Sequence, residues 1–176
     1  MEAIKWSEET LNNMLTEPSA ALVEDLKRLE GDIMVLGAGG KMGPDICVLA
    51  KKASVLGGSD RKIYAVSRFS DAAAAERLRS HGVTVIAADL MDANALQALP
   101  DCKNIIYMAG RKFGTNGTEY LTWGMNAWLP CMVVQRFRQS NIVVFSSGNL
   151  YPKVSTASGG ATERVRTVPV GEYCMS

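Results

Sequence analysis

The chain is 176 residues long, enough for one domain with a sizeable core. Its 47% hydrophobic and 21% charged residues give the balance of an ordinary globular domain, not of a disordered or membrane-embedded chain. The net charge of +1 makes no case for nucleic acid or an anionic membrane as partner, and no apolar run approaches the roughly 18 residues that span a bilayer. The N-terminus, MEAIKWSEET, is acidic and polar where a secretory signal needs a basic start and an apolar stretch. Cys47, Cys102, Cys131 and Cys174 are widely spaced and form no Cys-x-x-Cys pair. No metal site or redox motif is therefore expected, and reduced thiols point to a cytoplasmic protein.

In chain order, residues 1–30 read as helix in two pieces. Ser7 is placed to cap the first, and Pro18 suits the start of the second, which carries Ala21, Leu22, Leu26 and Leu29 at helical spacing. Residues 32–36 (DIMVL) read as a buried strand, and 43–54 as a helix with Ile46, Leu49, Ala50 and Ala53 on one face. A turn at 57–60 leads to a second strand, 62–67 (KIYAVS), and a helix over 70–80 that ends at Gly82. A third strand covers 83–88. A short helix near 92–98 precedes a fourth strand, 104–109. The pattern predicts a long helix over 118–139, kinked by Pro130. A fifth strand covers 141–146, and 152–172 reads as loop.

Strands that alternate with helices imply right-handed crossovers and a parallel sheet. Runs such as IMVL and IVVF are apolar on consecutive residues, as burial on both faces requires. The expected fold is α/β: a doubly wound parallel sheet in three α-β-α layers, with strand order 3-2-1-4-5.

The strongest chemical signal is the run Gly37-Ala38-Gly39-Gly40-Lys41-Met42-Gly43, between the first strand and its helix. Gly37 permits the tight turn, Gly39 and Gly40 remove side chains where a pyrophosphate approaches the backbone, and Gly43 lets the helix pack closely. The helix start then offers N–H groups and the positive dipole end to phosphates. A plain glycine-rich turn is the competing reading, and the strand–turn–helix context argues against it.

Later residues extend the pattern. Ala88-Asp89-Leu90 follows the third strand, Tyr107-Met108-Ala109-Gly110 follows the fourth, and Asn126 lies in the long helix. Phe145-Ser146-Ser147-Gly148-Asn149-Leu150-Tyr151 follows the fifth strand, and Glu163, Pro169 and Tyr173 come after it. Together, over about residues 32–176, these motifs resemble the extended short-chain dehydrogenase/reductases, the NAD(P)-dependent epimerase/dehydratase family. The resemblance implies a Rossmann domain over 31–176, with residues 1–30 as a helical extension outside the pattern. It implies that Asp89 and Leu90 meet the adenine, that Ala109 and Gly110 line the cofactor, and that Gly37, Gly39, Gly40, Lys41, Met42 and Gly43 form the phosphate turn. It implies a proton-transferring tyrosine assisted by a serine, which fall on Tyr173 and Ser147. It also implies a homo-oligomer paired through the long helix, with Trp123 and Trp128 as candidates for interface or core.

The end of the second strand bears on the cofactor. An acidic residue there bonds the ribose hydroxyls of NAD, whereas this chain has Ser67-Arg68, which suits a 2′-phosphate. NADP is the expected cofactor, with NAD second, and a solvated Arg68 is the plainer alternative. The family's lysine, four residues after its tyrosine, falls at residue 177, beyond this sequence. The chain therefore reads as the N-terminal part of a longer member, truncated after strand five, with the substrate-binding part absent. Two functions are open. One is an oxidoreductase or epimerase-dehydratase acting on a hydroxyl or keto group of a sugar-like substrate, weak or inactive in this form, with Tyr173 near a C-terminus that is expected to fray. The other is a non-catalytic NADP-binding sensor.

Overall fold

The computed structural model describes residues 7–176. Five strands form one parallel sheet: β1 (Ile33–Leu36), β2 (Ile63–Ser67), β3 (Thr84–Ala87), β4 (Asn104–Tyr107) and β5 (Asn141–Val144). Their order is β3-β2-β1-β4-β5, as expected. Each pairing is parallel, with Ile33 opposite Ile63 on one side and Asn104 on the other. The chain order reverses at β1, so the sheet has its switch point between β1 and β4.

Alternation along the central strands feeds two cores. Met34 and Leu36 point to one face, packed with Ile105, Leu129 and Val133. Ile33 and Val35 point to the other, packed with Cys47, Val48 and Leu78. The first face is covered by α5 (Ala93–Gln97) and by a helical run comprising α6 (Glu119–Trp123), a π-helical segment (Gly124–Trp128) and α7 (Leu129–Arg136). The second is covered by α3 (Gly43–Leu56) and α4 (Ala72–Ser80). The result is the three-layer doubly wound domain.

Capping chemistry explains the helix starts. Asp71 accepts from the amides of Ala73 (2.9 Å) and Ala74 (3.4 Å), so α4 begins at Ala72, two residues later than the pattern suggests. Ser7 caps α1 (Glu8–Leu15) through the Thr10 amide at 3.0 Å. α2 (Ala20–Arg28) starts after Ser19, which accepts from Leu22, so Pro18 precedes the cap instead of opening the helix.

Two expectations need correction. The long helix over 118–139 is not one helix kinked at Pro130. Pro130 stands in the first turn of α7, where a missing N–H costs least. The irregularity is displaced upstream, where the backbone widens into the π segment. The fifth strand is also not buried on both faces. It is an edge strand, and Val143, Val144 and Phe145 are 61%, 55% and 47% exposed.

The N-terminal helices lie against α3. Arg61 holds them: it is only 7% exposed, and its Nη2 donates to the carbonyls of Leu26 (3.0 Å) and Leu29 at the end of α2. A cation at a helix C-terminus also meets the negative end of the dipole. Arg61→Met should therefore lower stability by about 1–3 kcal/mol. It should also expose the 28–32 region to protease before the rest of the chain, as denaturant melts and limited proteolysis will read.

Candidate active site: the cleft at the carboxyl ends of the strands

The sheet's switch point opens into a cleft of about 250 Å³. It is lined by Gly37, Gly39 and Gly40 after β1, Ser67 to Ser70 after β2, Ala88 to Leu90 after β3, Met108 to Gly110 after β4, and Met125 of the π segment. All but Met125 follow or end a strand, which is where ligands bind in open α/β sheets.

The glycine turn shows why each small residue is needed. Gly37 has φ of 88°, and a Cβ there would lie 2.5 Å from the Ala109 backbone nitrogen. Its N–H donates to the Val66 carbonyl at 2.9 Å, tying the turn to β2. At Gly39 a Cβ would stand 2.6 Å from Ser67 Oγ, so any side chain there would push the Ser67 hydroxyl out of its place. At Gly43 a Cβ would come within 2.4 Å of the Ala38 carbonyl oxygen, so Gly43 lets α3 close on its own turn. Gly40 differs. The nearest atom to a Cβ there is the Gly37 carbonyl oxygen at 3.6 Å, so the apo fold does not need a glycine at that position. Its open space adjoins the cleft, at the start of a helix that no side chain caps. A pyrophosphate fits against that bare backbone beside the helix start, although the first turn is short of donors, since Pro44 has no N–H and the Gly43 N–H donates to the Gly40 carbonyl at 3.3 Å.

The other expected contacts divide. Ser67, Arg68, Asp89, Leu90, Ala109 and Gly110 all reach the cleft wall. Lys41, Met42 and Gly43 lie outside it. Lys41 and Met42 are exposed at the outer end of the turn, and Gly43 is buried beneath it. Asp89 accepts from its neighbour Met91 N–H at 3.0 Å through Oδ1. Tyr107 is buried and donates to the Met125 carbonyl at 3.2 Å, and burial pushes its phenol well above the ordinary range, which removes it as a proton donor for a ligand.

Sequence reading missed Phe69 and Ser70, which follow Arg68 on the same wall. Phe69 has φ of 47°, a left-handed conformation that costs a bulky residue about 1–2 kcal/mol. The signal in the sequence was adjacency to Arg68 alone.

Asn126 staples the loop after β4. Its Oδ1 accepts from Arg111 N–H at 2.7 Å, and its Nδ2 donates to the Arg111 carbonyl at 3.1 Å. The same Nδ2 donates to Ser176 Oγ at 2.9 Å, and Trp123 Nε1 donates to the Glu172 carboxylate. Tyr173 lies in a segment that these bonds tie to α6 and the π segment. It is half-buried in α8 (Glu172–Met175), which packs against α6 and the 3-10 turn Gly148–Leu150. Lys112 Nζ lies 5.7 Å from the centre of its ring. Ser147 caps that same 3-10 turn, accepting from Asn149 N–H at 3.2 Å. Ser147 and Tyr173 are thus brought into one neighbourhood. They share no hydrogen bond among the described residues, and neither lines the cleft.

Gly37 and Gly40 make a paired test. Gly37→Ala should destabilise the fold by about 1–3 kcal/mol, through left-handed strain and the clash with Ala109. Gly40→Ala should melt within about 1 °C of the parent, since a shift of several degrees per kcal/mol is normal. It should nevertheless lose dinucleotide affinity by about tenfold or more. Thermal melts and titration calorimetry check both.

A profile of the NAD dependent epimerase/dehydratase family matches residues 33–176. A search of curated protein sequences gives no match. Solved structures match on fold. Helicobacter pylori ADP-L-glycero-D-manno-heptose-6-epimerase superposes with a TM-score of 0.66 at 16% identity, over 86% of this chain and 48% of that one. Bacillus cereus UDP-glucuronic acid 4-epimerase, in a mutant form with NAD and a fluorinated UDP-sugar, gives 0.61 at 15%, over 82% and 48%. RMD from Pseudomonas aeruginosa complexed with NADPH gives 0.55 at 15%, over 83% and 45%. The chain spans about half the length of these structures. With the glycine turn, the strand order and the profile in agreement over 33–176, the chain belongs to the NAD-dependent epimerase/dehydratase family.

Proposed function

We propose that the chain binds NADP(H) in preference to NAD(H), as the cofactor-binding part of an oxidoreductase or epimerase-dehydratase. The substrate proposed is the hydroxyl or keto group of a sugar nucleotide, the class that several structural neighbours hold. The observation that carries the reading is the cleft wall at the end of β2. Ser67 and Arg68 both line it, and no acidic residue stands there to contest a 2′-phosphate. On this reading residues 31–176 form the cofactor domain, residues 1–30 are an N-terminal extension whose described part carries the helical pair α1 and α2, and the setting is the cytoplasm.

The remaining roles follow from placement. The backbone at Gly39 and Gly40, with the start of α3, holds the pyrophosphate. Asp89 receives the adenine amino group through its second carboxylate oxygen, while Oδ1 stays on Met91. Ala109 and Gly110 give a wall of small residues towards the reacting end. The nicotinamide, when bound, gives or takes the hydride. Tyr173 moves the proton at the substrate oxygen, and Ser147 bonds that oxygen once the Asn149 amide is released or shared. The position of Ser147 and Tyr173 outside the cleft wall favours a second reading, a nucleotide-binding module without turnover. Reduction of a panel of keto sugar nucleotides, followed at the NADPH absorbance, separates the two. Turnover that Tyr173→Phe abolishes, with cofactor affinity unchanged, supports the enzyme.

Arg68→Ala should cost NADPH about tenfold in affinity and leave NADH unchanged within about twofold, the loss of one charge-assisted contact. Calorimetry reads the ratio directly, and an unchanged preference contradicts the reading.

Self-association is part of the proposal. The exposed Val143, Val144 and Phe145 on β5, and Trp128 at 59% exposure, leave apolar surface that water disfavours. Sedimentation velocity at micromolar concentration should show dimers or larger species. Val144→Lys or Trp128→Glu should shift the distribution towards monomer.

A further inference from the structure

Ser67, Arg68, Phe69 and Ser70 are consecutive, and all four line the same cleft. An extended chain sends successive side chains to opposite faces. Four neighbours on one wall therefore require a bend, and the bend is at Phe69. It is the only residue other than glycine with positive φ among the described residues. Asparagine and aspartate tolerate that conformation by bonding locally, and glycine has no Cβ to object. Phenylalanine has neither escape. Its ring supplies the compensation. It is half-buried against the core that contains Val35, Ala38 and Leu78, and its Cδ1 lies 3.8 Å from where a Gly39 Cβ would stand. The ring is wedged between the sheet and the glycine turn, and that wedge holds the backbone where the chain alone would not keep it.

The groups gathered by the bend share one chemistry. Arg68 is the only cationic residue of the cleft wall among the described residues, and hydroxyls stand beside it at Ser67 and Ser70. The next residue, Asp71, has its carboxylate turned to the amides of Ala73 and Ala74. Its Oδ1 is engaged at the start of α4, at the positive end of that helix.

We propose that Phe69 is a specificity-determining residue. Its left-handed, ring-anchored backbone collects Arg68, Ser67 and Ser70 into a seat for a phosphate monoester at the ribose 2′ position. This rests on the reading of Arg68 given above and adds the residue that builds the seat. A phosphate monoester offers three acceptor oxygens, which matches one guanidinium and two hydroxyl donors.

The test uses two probes that differ only in the 2′-phosphate, adenosine 2′,5′-bisphosphate and adenosine 5′-monophosphate, titrated into the full chain by calorimetry. The parent should prefer the bisphosphate by about tenfold or more. Phe69→Ala removes the wedge and disfavours positive φ, and should bring that preference to within about twofold while the monophosphate binds as before. Phe69→Gly removes the wedge but permits positive φ, and should retain part of the preference, about threefold to fivefold. Arg68→Ala should abolish the preference outright. If Arg68→Ala abolishes it and both Phe69 variants keep the parent ratio, this inference fails and the cofactor reading stands. If the parent shows no preference, both fail. Equal loss of both probes in the Phe69 variants also overturns the inference, because the residue then serves the cleft as a whole.

Discussion

The structure depends on the absence of a side chain at Gly37. The end of β1 is hemmed in by its two neighbours: the Gly37 N–H reaches the Val66 carbonyl of β2, and the bare Cα faces the Ala109 backbone after β4. A Cβ at that point would sit 2.5 Å from the Ala109 nitrogen. Because the turn is that tight, the chain leaves the sheet at once and enters α3 directly above the strand end. Because the turn runs on into α3, the bare backbone of Gly39 and Gly40 is left on the cleft wall just before the helix start. One steric constraint thus places both the switch point of the sheet and the chemistry that uses it.

The second level of organisation ties the loops to that floor. Ser67 closes on Gly39, and the Ser67 carbonyl accepts from Ala88 N–H at 2.9 Å, so the walls after β2 and β3 move together. Asn126 grips both backbone groups of Arg111, which fixes the loop after β4 to the π segment. The widened turn also brings the Met125 carbonyl to the Tyr107 hydroxyl and leaves Met125 on the cleft wall. The irregular stretch before Pro130 therefore has a use: it puts the Met125 side chain on the cleft wall, while the Met125 carbonyl holds Tyr107 and the Asn126 amide holds Arg111.

The fold was legible in the sequence because its signals are local and strong. Continuous apolar runs, a glycine turn between strand and helix, and polar punctuation between segments lead to the strand order without structural data. The misjudged parts are those where tertiary context decides. IVVF has the composition of a strand buried on both faces, yet β5, at the edge where the expected strand order puts it, leaves Val143 and Val144 exposed. Pro130 announces a broken helix but not that a π turn five residues long takes up the strain. Most of the cleft's contacts were legible from motifs. Lys41 and Met42 lie outside the cleft lining, because a motif says which residues are near a turn, not which face of it they occupy. Phe69 was overlooked because a positive φ at an aromatic residue leaves no trace in composition or periodicity.

The central claim is that the turn after β1 and the wall after β2 together receive one dinucleotide. Amide hydrogen exchange of the full chain, with and without saturating NADPH, tests it most directly. The account predicts slowed exchange in residues 37–43, 67–70 and 108–111, with α1 and α2 unchanged. Protection absent from the glycine turn, or confined to α1 and α2, would contradict it.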